Sequence, residues 1–159
     1  MLKLVLAVPA LAWAGAASAQ QPATYQSQLM RANQGCIVAS NDAAAPSTVV
    51  TACLAAVVDM SRLRAGRAEP TVDDENVFGA MVSLAHAAIG ASYGVIDGAR
   101  SKRSCDEAEA AWAAASKIDL AASVSTHADD MKVMRDDARS IAEICRRSFA
   151  APVAAPPLR

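Results

Sequence analysis

The chain of 159 residues holds four cysteines, Cys36, Cys53, Cys105 and Cys145, and their placement narrows the folds open to it. Cys36 and Cys53 are symmetric about position 44 or 45, inside the turn-like stretch 41–47, and Cys105 and Cys145 about Ser125, inside the Ser/Thr-rich run 123–126. In an antiparallel helical hairpin both arms rise about 1.5 Å per residue, so positions equidistant from the turn come level with each other. The pattern therefore predicts Cys36 bonded to Cys53 and Cys105 bonded to Cys145. On the chain-entropy model, closing loops of these lengths stabilises a fold by about 3 to 4 kcal/mol each. No two cysteines have zinc-site spacing, neither His86 nor His127 lies beside a Cys-x-x-Cys, and haem-attachment and thiol-exchange motifs are missing. No metal or cofactor is expected.

An even number of cysteines is read as structural bridges when the chain is exported, and the first residues predict export. Lys3 supplies a positive start, an apolar run covers residues 4–17, and Ala17-Ser18-Ala19 has the small residues that signal peptidase accepts. The run is shorter than the roughly 20 apolar residues of a spanning helix. A secretory signal peptide at 1–19 is expected, with a working domain at 20–149 and a disordered Pro-rich tail at 150–159. Cleavage removes only one charged side chain, Lys3, from a chain of net charge −1. That balance predicts neither nucleic acid nor stable membrane insertion. The clusters Arg62/Arg64/Arg67 and Arg100/Lys102/Arg103 are broken by small or apolar residues and read as solvated helix ends. The location implied is periplasmic or secreted.

Apolar residues recur at helical spacing through the working domain, and no strand-like alternation competes with it. A short first helix follows Thr24 and carries Leu29 and Cys36. Pro46-Ser47 opens a second, on which Val50, Cys53, Leu54, Val57 and Met60 share a stripe, and Gly66 stands where a left-handed stop is expected. Thr71 and Asp74 form a variant capping box ahead of a long third helix. That helix has an apolar stripe, Phe78, Met81, Val82, Ala85, Ile89, Tyr93 and Ile96, and a face of Gly79, Ser83, Gly90 and Gly94 suited to a close neighbour. Gly98 ends it. Ser104 to Glu107 reads as a capping box for a fourth helix bearing Ala108, Ala111, Trp112, Ala115 and Ile118. A fifth begins near 126–129 with the stripe Met131, Met134, Ala138, Ile141 and Cys145, acids at its start and Arg146/Arg147 at its end. The expected fold is all-α: stacked antiparallel hairpins, a closing C-terminal helix and two disulfides.

The run Ile89-Gly90-Ala91-Ser92-Tyr93, then 107–115, then Lys117-Ile118-Asp119-Leu120, resembles one tetratricopeptide repeat. Its carriers are Gly90 and Tyr93 on the first helix, and Ala108, Trp112 and Ala115 on the second. Small residues there let the helices touch while the aromatic ring fills the gap. Cys36 followed by the stretch 50–58 resembles the cysteine-containing opening hairpin of exported bacterial proteins of this type. The connector between Gly90 and Ala108 is longer than the pattern has, and Leu120 stands at its usual proline. The resemblance covers most of residues 36–120 and implies a protein-binding or scaffolding module with no catalytic residues. Its partner would be another envelope or secreted protein, with the oligomeric state left open. A small exported inhibitor or chaperone of an envelope protein is the alternative.

Gly90-Ala91-Ser92-Tyr93-Gly94 also satisfies the G-x-S-x-G pattern of serine hydrolases, with His127 and several aspartates downstream. That motif needs a strand entering a sharp turn, whereas Ser92 follows a helical stripe. The acidic pairs Glu107/Glu109 and Asp129/Asp130 fall in first helical turns, where acids suit the dipole. No catalytic residue is therefore assigned. Mass spectrometry of the exported protein should find an N-terminus at or near Gln20; a full-length product in envelope material would contradict the leader reading.

Overall fold

Caps and breakers place the helix starts in the computed structural model, which describes residues 24–42, 44–123 and 127–149. The expected leader at 1–19, Ala43, the run 124–126 and the tail from 150 onward lie outside the described residues. Thr24 accepts a bond from the Ser27 amide and opens α1, Tyr25–Asn41, which is longer than the short helix expected there. Pro46 begins α2, Pro46–Ala65. Thr71 and Asp74 form a complete capping box on α3, Val72–Asp97. Burial pushes the Asp74 carboxyl up, but the Thr71 amide and hydroxyl and the Arg67 guanidinium overcome it and hold it below the ordinary carboxylate range. Arg64 pairs with Glu75 beside it. Two of the three arginines in the cluster at 62–67 thus tie the end of α2 to the first turn of α3.

Two expected caps differ. Gly66 follows α2 with φ −79°, a right-handed conformation, so the helix runs out through a tight turn to Arg62 and Arg64 carbonyls rather than a left-handed stop. The fourth helix, α4, Lys102–Ala115, is capped by Ser101 and not by Ser104. Ser104 sits inside the first turn and donates its hydroxyl to the Gly90 carbonyl at 2.8 Å, while Glu107 reaches across to His86. Tertiary partners took both polar groups of the expected capping box. Gly98 does end α3, with φ 101°, a conformation that glycine adopts without steric cost. The last helix, α5, spans Ala128–Phe149 with the acids first and Arg146/Arg147 last.

The described residues form an all-α domain of five antiparallel helices without strands, and both disulfides pair as expected, Cys36 with Cys53 and Cys105 with Cys145. The first bridge ties α1 to α2 and the second ties α4 to α5. Equal helical rise accounts for the first alone. From Cys105 to the end of α4 is about 15 Å of helix, whereas from the start of α5 to Cys145 is about 25 Å. The chain after α4 makes up the difference by folding down along α5, where Ile118 is buried with Met131 and its carbonyl receives Arg135.

Helix α3 packs against each of the other four, and each helix packs on the next in sequence. Its glycine face meets α4 closely: a Cβ built on Gly90 would stand 3.2 Å from Glu107 Cβ and from the Ser104 carbonyl. The opposite side buries Val82, Ala85 and Ile89 against Leu29, Cys53 and Met60. Asn76, 1% exposed, latches the segment after α4 by donating to the Asp119 carbonyl at 2.9 Å and accepting from the Asp119 amide at 2.8 Å. Both α2 and α3 are long and apolar enough to cross a bilayer by length and composition, and here the inner side of each packs on neighbouring helices. Gly35 in α1 has no atom within 4 Å of its added Cβ. Gly35→Ala should therefore stabilise by about 0.5–1 kcal/mol, and Gly90→Val should destabilise by about 1–3 kcal/mol through overpacking. Urea unfolding of both variants checks the contrast; a Gly90→Val protein as stable as the parent would contradict the close α3 to α4 seam.

Candidate functional site

Helix α3 is apolar on nearly its whole circumference, and four neighbours do not enclose it. Helices α1 and α5 each pack against α3 yet make no backbone contact with one another among the described residues. Leu84 is consequently 54% exposed, with Met30 on α1 at 51% and Ile141 on α5 at 50% on either side. Ile141 was expected in the core stripe of α5; the buried line is instead Met131, Ala138, Ala142 and Cys145, with Met134 half-buried. Ile96, expected on the core stripe of α3, is also exposed at 48%.

The uncovered surface is a trough with two hollows. The first, of about 360 Å³, lies between α1 and α5 over the first half of α3, with Met30, Met81, Met131 and Met134 in its walls. Asn33 also lines it, 3% exposed, and its side-chain oxygen has no hydrogen-bond partner. The second, of about 380 Å³, lies between α3 and α5 over α4, on Ala87, Ala91, Ala108, Ala111 and Ile141. Leu84 and Met134 border both and form the ridge between them. The ionisable side chains in the lining are Asp130 and His127 at the first hollow and Asp137 at the second. His127 and Asp130 approach to 3.6 Å, and both are well exposed.

Of the residues carrying the repeat resemblance, Gly90, Tyr93 and Ala108 come together at the α3 to α4 seam. Gly90 faces the first turn of α4, Ala108 and Ala115 are buried, and Tyr93 has the Arg103 guanidinium 4.4 Å over its ring. Trp112 is half-buried and packs on Ala115, Ile118, Met131 and Ala138. The hydrolase-like serine, Ser92, lies within α3, 7% exposed, with its hydroxyl donated to the Ala88 carbonyl at 2.9 Å. His127 is at the far end of that helix's neighbour, at the start of α5. A tight histidine–carboxylate contact, His86 Nδ1 to Glu107 Oε2 at 2.6 Å, was not foreseen; it spans the same seam and lines neither hollow. Spacing alone gives no signal for it, because the two residues belong to different helices. Among the described residues no group of three or more His, Cys, Asp or Glu could hold a metal.

The fold and site define a disulfide-bonded helical domain with an apolar, acid-edged trough across one side. Comparison with protein-family models, curated proteins and solved structures finds no match for the chain. Because Leu84 and Ile141 are half-exposed, Leu84→Gln/Ile141→Gln should fold with a stability change of about 1 kcal/mol or less. Ile89→Ala, in the core, should cost about 2–5 kcal/mol. Thermal unfolding distinguishes them; a double variant as damaged as Ile89→Ala would mean that the trough is closed.

Proposed function

We propose that the protein is a non-catalytic, exported helical-repeat module that works by protein contact, and that the trough over α3 is its contact surface. The observation carrying this reading is the trough itself: apolar residues from α1, α3 and α5, Met30, Ile37, Leu84 and Ile141, left uncovered together around two adjoining hollows. Contiguous apolar surface of this kind marks interaction sites more often than isolated exposed residues do. The order of helix contacts supports the repeat component. Each helix packs on the next, and each odd-numbered helix packs on the next odd-numbered one, as in stacked hairpins. The close α3 to α4 seam, with Gly90 and Ala108 at it, supports the tetratricopeptide resemblance, whereas Trp112 packs with the cluster that joins α4 to α5. Two disulfides fit an oxidising compartment outside the cytosol, in line with the signal-like residues 1–19.

The four methionines of the first hollow favour a second reading, a chaperone that holds an exposed segment of an envelope protein, since methionine lets a surface adapt to several shapes. Stoichiometry separates the two, a fixed complex for the module and a transient one for the chaperone. The reading as a whole is tested by complementation of a strain lacking the gene. Ser92→Ala should restore function fully, and Leu84→Gln/Ile141→Gln should not, although it accumulates and folds. The reverse pattern, a folded Ser92→Ala without function, would replace a contact module with a serine enzyme.

A further inference from the structure

We infer that the trough takes the apolar face of a basic amphipathic helix presented by a partner protein. The inference rests on the contact-module reading above and names the chemistry of the partner. Its first support is the spacing of the hollows. The α3 residues of the first hollow run from 77 to 84 and those of the second from 83 to 91, so their centres lie about 10 Å apart along the helix. That is the rise between positions i and i+7 of an α-helix, about 10.5 Å. Two large apolar side chains on one face of a helix would enter the two hollows and straddle the ridge of Leu84 and Met134. The whole floor, residues 77–91, is about 21 Å long, which suits a helix of about four turns.

The second support is charge. Neither hollow is lined by a lysine or arginine, and each has one aspartate on its α5 edge, Asp130 and Asp137, themselves seven residues apart. Asp137 makes no ion pair among the described residues. The lysine and arginines of α5 nearby are engaged elsewhere, Lys132 with Asp136, Arg135 with the Ile118 carbonyl and Arg139 with Glu143, while the exposed His127 ring stands 3.6 Å from Asp130 and leaves its other oxygen to an occupant. An occupant with lysine or arginine repeating every seven residues on one flank would meet both acids.

The test uses a synthetic peptide of about sixteen residues on an alanine background, with two leucines seven positions apart and lysines flanking them on one side. A second peptide carries glutamates in place of the lysines, and binding to the whole protein is followed by fluorescence anisotropy. The lysine peptide should bind saturably and about three- to ten-fold more tightly than the glutamate peptide, as expected for two exposed ion pairs. That preference should vanish in Asp130→Asn/Asp137→Asn, and Leu84→Gln/Ile141→Gln should weaken both peptides. Equal affinity for the two peptides, a preference that survives the aspartate substitutions, or no saturable binding would overturn the inference. A parent protein that sediments as a dimer and becomes monomeric in Leu84→Gln/Ile141→Gln would overturn it too, by assigning the trough to a second copy. If the peptides fail while the same double variant still loses function in complementation, the contact module stands and only this partner chemistry falls.

Discussion

The close contact of α3 with α4 sets the geometry on which the rest of the domain depends. Gly79 and Gly90 bring the two backbones together; a Cβ on Gly79 would stand 3.1 Å from the Ala114 carbonyl. With side chains of ordinary size at these positions the helices would separate, and the interlocking polar contacts across the seam, Ser104 to Gly90 and His86 to Glu107, would open. A long helix held this tightly on one side has its remaining surface to distribute among α1, α2 and α5. It buries Val82, Ala85 and Ile89 in the main core and leaves Leu84 outside. The trough is the sector of α3 that three further helices do not cover.

Stability in a domain poor in aromatic side chains comes from three sources that act at different places. The main core is built from α1, α2 and the inner side of α3, around Leu29, Met60 and Ile89. A smaller one joins α4 and its following segment to α5, around Ala115, Ile118 and Met131. The disulfides reinforce one hairpin in each half, restricting the unfolded chain by about 3 and about 4 kcal/mol on the chain-entropy model. Asn76 links the halves from α3 by mimicking a backbone pair with Asp119. These ties reach the elements around the trough: α5 is bonded to α4 at Cys145, α1 to α2 at Cys36, and the start of α3 is held by Asp74, Arg67 and Arg64.

Cross-linked walls with an adaptable lining suit the proposed contact role. The helix backbones fix the distance between the hollows, while the methionines and Leu84 can change rotamer to meet an incoming side chain. Asp130 and Asp137 add orientation, because their attraction acts along one edge only. The internal polar groups, by contrast, are committed to the fold. Ser92, the residue that made a hydrolase conceivable, spends its hydroxyl on the helix that carries it.

Local features of the chain were enough to determine the helical class, the cap at Thr71, the break at Gly98, the glycine face of α3 and the pairing of Cys36 with Cys53. Each of these depends on neighbours a few residues away, or on positions about a turn, and so leaves a trace in spacing. The α4 start moved from Ser104 to Ser101 because the Ser104 hydroxyl and the Glu107 carboxylate found partners on α3, and no local rule ranks a cap against a distant carbonyl or imidazole. Ile141 and Leu84 were left uncovered for a related reason. Periodicity shows that a helix has an apolar face, but α3 is apolar on several, and which of them meets solvent depends on how many helices pack around it and at what distance. The trough, with its paired hollows and its two aspartates, therefore exists only in the assembled domain, where α1 and α5 approach α3 without reaching each other.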